Sequence, residues 1–366
     1  KTWSEGAVYS EFLRPFFQEL NHRTIRYAVV RNHEGLPNSI PGTDIDILIK
    51  PSAVREVDGL IRRVSDSTGW NLLRVTNKDF RIRNYILSNL SADNEAEFIV
   101  LDIMTAVGWN GYSAWPAEEI LDSPGVGEEV KNLSDAAEAA VTTVTSLTYA
   151  GGFKKSQYHE LAKSAANQTE TSFSALMTSA VGAETASAVS DLLSSGTPAA
   201  IDTSATLLRS GLKKTASKRL IRNFRDSLWS IKFKLGRLVS PPGILIAVIG
   251  TDGSGKSTLI EQLADRLRPV FGSTDTAHLR PRFLPDLSRV SGTRSEETTN
   301  QNTAHTRSPG ILGSLIRWGY YWFDYLVGYQ IVFRPKMARK SAIIIDRYFY
   351  DFEFDYGQKN VKLPGW

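Results

Sequence analysis

The nine residues "GTDGSGKST" (250–258), set directly behind the apolar run "GILIAVIG" (243–250), constrain this chain more than any other stretch. Gly250, Gly255, Lys256 and Ser257 match the spacing G-x-x-x-x-G-K-S/T. Each residue type has a physical reason. Glycine at 253 and 255 permits backbone angles that turn successive N–H groups inward around a phosphate. A helix starting near Lys256 aims its positive end at the same anion. Lys256 can bridge the β- and γ-phosphates, the Ser257 hydroxyl can ligate Mg²⁺, and Ser254 and Thr258 complete the lining. An apolar strand precedes the loop, and Leu259, Ile260, Leu263 and Leu267 predict an amphipathic helix after it. The implied cofactors are ATP and Mg²⁺; the bland alternative is a chance match in a turn.

The rest of 244–366 reads as strand, glycine loop, helix, strand, polar loop, aromatic helix and strand. "SGTRSEETTNQNTAHTRSPG" (291–310) has almost nothing to bury and predicts a mobile surface loop. "AIIID" (342–346) is wholly apolar up to its Asp, as a central parallel strand covered on both faces would be. "GSLIRWGYYWFDYLVGYQIVF" (313–333) is long enough to span a bilayer but carries Arg317, Asp324 and Gln330, charged and polar groups that are costly in lipid. A buried aromatic helix packed on the sheet is the expectation there.

With "GTDGSGKST", "HLRP" (278–281) and "IIIDRY" (343–348) on the page, the C-terminal third resembles the thymidylate kinase group of P-loop kinases. That resemblance implies an acceptor-phosphate clamp at Arg280, a Mg²⁺-supporting acid at Asp346, a phosphate contact at Arg347, and an acceptor contact at Asp252 near the point of transfer. Lys256, Arg280 and Arg347 would then spread positive charge around a moving phosphoryl group, which is most of what such catalysis needs. Alternatively, Arg280 reads as a surface arginine and Asp346–Arg347 as a strand-end turn. The thymine-reading set of the family is not preserved: Asp351, Phe354, Asp355 and Tyr356 stand in its places. A closer resemblance is to two-domain thymidylate kinase-like proteins found with bacterial surface-polysaccharide genes, carried by "SPPGILIAVIGTDGSGKST", "HLRPRFLP", "DYLVGY" and "IIIDRYFYDFEFD". It implies a phosphorylated or hydroxyl acceptor, a sugar or glycan, in place of dTMP. The first residue is not Met and the family's lid and final strand would follow "KLPGW", so an incomplete chain is expected.

The N-terminal third carries a second constellation. "IRYAVV" (25–30), "DIDILI" (44–49) and "EFIVLDI" (97–103) read as strands, the second as a half-buried one because charged and apolar positions alternate. "VREVDGLIRRVSDSTG" (54–69) spaces its apolar residues as a helix and ends on Gly69. Asp44 and Asp46 share one face of their strand, because side chains alternate, and Asp102 sits on another strand. Three such carboxylates converging across neighbouring strands can hold Mg²⁺ and catalyse nucleotidyl transfer. The pattern resembles the nucleotidyltransferase fold, although Arg31 and Asn32 occupy the place where that fold carries Gly-Ser on its triphosphate grip. An inactive relative with solvated aspartates is the competing reading.

Between these parts, 117 to about 205 is rich in Ala, Ser and Thr with helical spacing, and reads as a bundle. Residues 209–237 then hold ten basic side chains (209, 213, 214, 218, 219, 222, 225, 232, 234, 237) against the single acid Asp226. Leu220, Phe224, Leu228, Ile231 and Leu235 keep helical spacing until "SPPG" (240–243). This basic amphipathic helix is read as a connector packed by its apolar stripe; an anionic membrane surface is its alternative partner. A net charge of +4 is too small to argue for nucleic acid by itself, no base-reading motif supports it, and no nucleic-acid partner is expected. With no cysteine, disulfides, zinc–thiolate sites and thiol nucleophiles are excluded.

The expected fold class is α/β: a nucleotidyltransferase-like α/β domain (1–116), a helical bundle with the basic connector (117–240), and a P-loop kinase domain with a parallel sheet (241–366). The expected activity is ATP- and Mg²⁺-dependent phosphoryl transfer in surface-polysaccharide assembly, in the cytoplasm and peripheral on the inner face of the membrane. Three alternatives stay open: nucleotidyl transfer through Asp44, Asp46 and Asp102, a non-catalytic nucleotide-gated assembly module at the membrane, and a nucleoside monophosphate kinase.

Overall fold

The computed structural model describes residues 7–40, 42, 44–90, 96–122, 126–167, 171–195, 197–218, 220–250, 253–278, 281–285 and 311–347. The architecture is mixed α/β, and the chain divides into two compact units, Lys1–Phe233 and Lys234–Trp366.

The first unit is built on a five-stranded sheet of β1 (Tyr27–Val29), β2 (Ile45–Ile49), β3 (Asn71–Asp79), β4 (Ile82–Leu90) and β5 (Ala96–Met104), in the order β1-β2-β5-β4-β3. Strand β2 runs parallel to β5, and the other pairings are antiparallel. One face is covered by α1 (Ala7–His22) and α2 (Val54–Thr68). Along α1, Tyr9, Phe12, Leu13, Phe16, Phe17 and Leu20 recur at helical spacing and are all buried. Each such side chain contributes roughly 2 kcal/mol of apolar burial. Helix α2 stops where the sequence says it should, with Gly69 in the left-handed region at φ 73°.

The other face meets helices. The hairpin β6 (Ala106–Trp109) and β7 (Tyr112–Pro116) leads into α3 (Ala117–Leu121), α4 (Asp135–Thr145), α5 (Ser156–Asn167), α6 (Thr171–Val181), α7 (Ala183–Ser195) and α8 (Pro198–Lys218). One core runs from Ala28, Leu48 and Met104 of the sheet into Val141, Met177, Val189 and Leu208 of these helices. Cover on both faces corrects the half-buried reading of 44–49: Ile45–Ile49 are buried at every position. Ile45, Ile47 and Ile49 face α1 and α2, so Asp46 and Leu48 point to the helical side. The alternation is real but marks two kinds of interior.

Helix α9 (Leu220–Val239) follows and ends at "SPPG". The second unit then carries β8 (Ile244–Val248), α10 (Lys256–Phe271), β9 (Ser273–His278), α11 (Ile311–Gly328), a wider helical turn over Tyr329–Phe333, α12 (Arg334–Ala338) and β10 (Ser341–Asp346). Its sheet is parallel in the order β8-β10-β9. Strand β10 is central, with Ser341–Ile345 buried, as its apolar run predicted.

Two helical expectations are corrected. Along α11, Ile316, Trp322, Phe323 and Leu326 are exposed while Asp324 is buried, where it accepts a 2.6 Å hydrogen bond from the Leu284 amide. The aromatic face of this helix is therefore not the buried one. In α9, likewise, Phe224, Leu228, Ile231 and Leu235 of the apolar stripe are exposed, while Asp226 and Ser230 face inward. Among the described residues, no helix is long and apolar enough to cross a membrane.

Candidate functional site

Parity and topology together assemble the N-terminal site. Asp44, Asp46 and Leu48 share one parity, so both acids point to the helical side of β2. Parallel pairing sets Asp46 beside Asp102 of β5 in direct register. Oxygens of Asp44, Asp46 and Asp102 all lie within 4.8 Å of one another, with Asp46 and Asp102 buried.

Three close carboxylates need compensation, and the surrounding strands supply it. Arg31, just past β1, reaches Asp46 Oδ2 at 2.8 Å. Asn84, opposite Asp102 on β4, donates from Nδ2 to its Oδ1 at 2.7 Å. Lys78 Nζ contacts Asp102 Oδ2 and lies 3.4 Å from Asp44 Oδ2. Lys78 sits where the β3–β4 register shifts between Asn77 and Asp79, and such a bulge re-aims a side chain.

Burial pushes the Asp46 carboxyl up to about 6; Arg31 opposes the rise and Asp44 and Asp102 add to it. Burial works against the Lys78 charge, but Asp102 and its hydrogen bond, with Asp44 and Asp46, outweigh it and hold the ammonium above its ordinary range. The helical side contributes a rim. Asn32, in the left-handed region at φ 53°, accepts hydrogen bonds from Lys155 Nζ at 3.0 Å and Tyr158 Oη at 2.6 Å. Glu138 on α4 has His33 Nδ1 at 3.6 Å. Burial, joined by Glu34 and Asp135, pushes Glu138 up to about 7, with Arg31 opposing.

Sequence reasoning named the three aspartates and missed Lys78, Asn84, Lys155 and Tyr158. No spacing rule finds them, because they come from a bulge, a cross-strand neighbour and a helix far along the chain. Arg31 and Asn32 were noticed only as departures from Gly-Ser; in the structure they bind Asp46 and tie the β1–β2 connection to α5.

In the second unit, β8 is followed by Gly250 and then by Gly253 and Gly255 at φ 81° and 83°, with α10 starting at Lys256. Ser254, Ser257 and Thr258 are exposed around that helix start. A Cβ on Gly250 would stand 3.1 Å from Ser254 Oγ and 3.6 Å from Lys256 Cδ, so the turn is closed tightly at this point. Asp346 ends β10 in register with Val248 on one side and His278 on the other. His278 Nε2 is 3.8 Å from its Oδ2. Arg347 follows at φ 67° and donates its amide to Val248 O at 3.0 Å. Asp252 and Arg280 lie outside the described residues, as do 291–310 and the segment with Asp351, Phe354, Asp355 and Tyr356.

No family model matches this chain. No curated protein matches it either. Among solved structures, it is similar to JHP933 from Helicobacter pylori at 14% identity and a TM-score of 0.31, over 61% of this chain and 96% of that one. It is also similar to a candidate nucleotidyltransferase from H. pylori at 15% identity and a TM-score of 0.31, over 59% of this chain and 97% of that one.

Proposed function

We propose that the N-terminal unit performs divalent-metal-dependent nucleotidyl transfer through Asp44, Asp46 and Asp102. The observation that carries this reading is the convergence of three carboxylates within 4.8 Å at one site of a covered sheet. The donor set fits a hard cation, since Mg²⁺ and Mn²⁺ favour carboxylate oxygen. Charge also fits: among the described residues, Arg31 and Lys78 meet the three carboxylates, and a cation would add to that compensation. When bound, the metal would polarise the phosphoryl group under attack and neutralise the leaving pyrophosphate. The chain's own groups position: Arg31 holds Asp46, Asn84 holds Asp102, and Lys155 and Tyr158 hold Asn32 at the rim. The test is pyrophosphate release from nucleoside triphosphates with Mg²⁺ or Mn²⁺, lost in Asp46→Asn. Absence of release with every nucleotide and acceptor offered would reject the reading.

A second reading belongs to the C-terminal unit: ATP- and Mg²⁺-dependent phosphoryl transfer to a sugar, glycan or other non-dTMP acceptor in surface-polysaccharide assembly. It is favoured by the order strand, glycine turn, helix, and by Asp346 beside the strand that feeds the turn. Asp346 Oδ1 is buried with no hydrogen-bond partner among the described residues, which suits an acid awaiting a cation. Ser257 and Asp346 would hold that Mg²⁺. Lys256 and the amides at the start of α10 would hold phosphate. ATP binding that survives Lys256→Ala unchanged would reject this second reading.

A further inference from the structure

Helix α9 turns its polar side inward. Asp226 and Ser230, one turn apart, are only 6% and 9% exposed. Ser113 Oγ of the β6–β7 hairpin donates to Asp226 Oδ2 at 2.7 Å, and Gly111 of the same hairpin approaches Ser230. Phe224, Leu228, Ile231, Leu235 and Leu238 are 45% to 69% exposed. At 3.6 residues per turn these five fall within an arc of about 80°, roughly opposite Asp226 and Ser230. Arg225 and Lys232 border the arc on one side and Lys234 on the other, and all three are exposed. Asp226, already buried, is the only acid in the helix.

A helix of a water-soluble protein buries its apolar stripe; one that displays it presents a docking surface. The occupant can be chosen from the charges. Basic residues on both borders select a negatively charged partner. A second copy of this helix, paired about a two-fold axis near Ile231, would bring Lys232 and Lys234 towards their own copies, which like charge disfavours. A planar anionic surface accepts both features, since apolar side chains enter the acyl boundary while Lys and Arg stay at headgroup level.

We infer that α9 is a membrane-surface helix that lies on anionic lipid through Phe224, Leu228, Ile231, Leu235 and Leu238, with Arg225, Lys232 and Lys234 at the headgroups. The inference stands apart from either catalytic reading, because none of these residues belongs to a proposed site. The test is co-sedimentation of the intact chain with phosphatidylcholine vesicles, with and without phosphatidylserine, at low and high salt. Binding is expected only with phosphatidylserine and should weaken with salt. Lys232→Gln and Lys234→Gln should each lower partitioning roughly fivefold. Ile231→Glu with Leu235→Glu should abolish it while leaving the thermal transition in place, since both side chains are exposed. No binding at low salt, or binding untouched by the double substitution, would overturn the inference. So would a chain that ignores vesicles yet forms a dimer that Ile231→Glu with Leu235→Glu dissociates.

Discussion

The Arg31 guanidinium presents both Nε and Nη2 to one oxygen of Asp46, each at 2.8 Å. The side chains are 28% and 10% exposed, so the pair is largely shielded from water. Removing one partner of such a pair leaves the other charge uncompensated. Arg31→Met should destabilise the first unit by about 3 kcal/mol at pH 8. Asp46 is already pushed up to about 6 with Arg31 beside it, and loses an opposing charge in the variant. A raised folded-state pKa makes stability fall as pH rises past the unfolded value. Urea unfolding at pH 5 and pH 8 should therefore show a smaller loss at the lower pH.

Lys78 and a divalent cation would seek the same oxygens, those of Asp44 and Asp102. Lys78→Met should tighten Mn²⁺ binding by calorimetry about tenfold, because the competing charge is gone. Asp46→Asn should weaken it. Equal affinities in wild type and Lys78→Met would show that the lysine does not compete.

Glu138, at the rim of the carboxylate centre, supplies a further pH test. Its acid is raised from 4.5 to about 7 by burial, Glu34 and Asp135, with Arg31 opposing and His33 facing it. The folded state binds the proton more tightly than the unfolded state, so this group's contribution to stability is fully present below about pH 4.5 and is lost as pH climbs through about 7. Glu138→Gln removes the ionisation and should raise the melting temperature by a few degrees at pH 8, with little difference at pH 4.5. An unchanged melting temperature at pH 8 would contradict the buried-acid assignment.

Gly243 tests the entry to β8. A Cβ there would lie 2.3 Å from Ser341 O, 2.5 Å from Met337 Cα and 2.7 Å from Met337 O, all backbone atoms. Gly243 N also donates to Met337 O at 2.8 Å. Gly243→Ala should destabilise the second unit by about 2 kcal/mol, measured as an earlier denaturant midpoint.

Lys256 tests the glycine turn. Lys256→Ala should lower affinity for a nucleoside triphosphate at least tenfold by calorimetry, the loss expected for a charge-assisted phosphate contact. The same substitution should leave pyrophosphate release by the first unit unchanged, which separates the two proposed chemistries.

Legibility followed the range of the forces involved. Gly69, Gly253 and Gly255 were readable because positive φ is a property of one residue and its neighbours. Strand β10 was readable because a strand with cover on both faces needs apolar residues at every position. The face shared by Asp44 and Asp46 was readable from alternation alone. Asp102 was named with them as an expectation, but its direct register with Asp46 was not readable, since β2 and β5 become neighbours only through the sheet order. Lys78 was invisible because one extra residue in a ladder turns it towards the acids. Periodicity showed α9 to be amphipathic and could not say which side turns inward.

By itself, the sequence determined the local conformations, the positions of the glycine turn and the aspartates, and the two-sidedness of each helix, because sterics and side-chain period act over a few residues. Only the tertiary structure decided which strands became neighbours, which cations met the acids, and that α9 would bury Asp226 and display Phe224. Those outcomes depend on surfaces distant in the chain, and the packing of lowest free energy sets which side of an element is its interior.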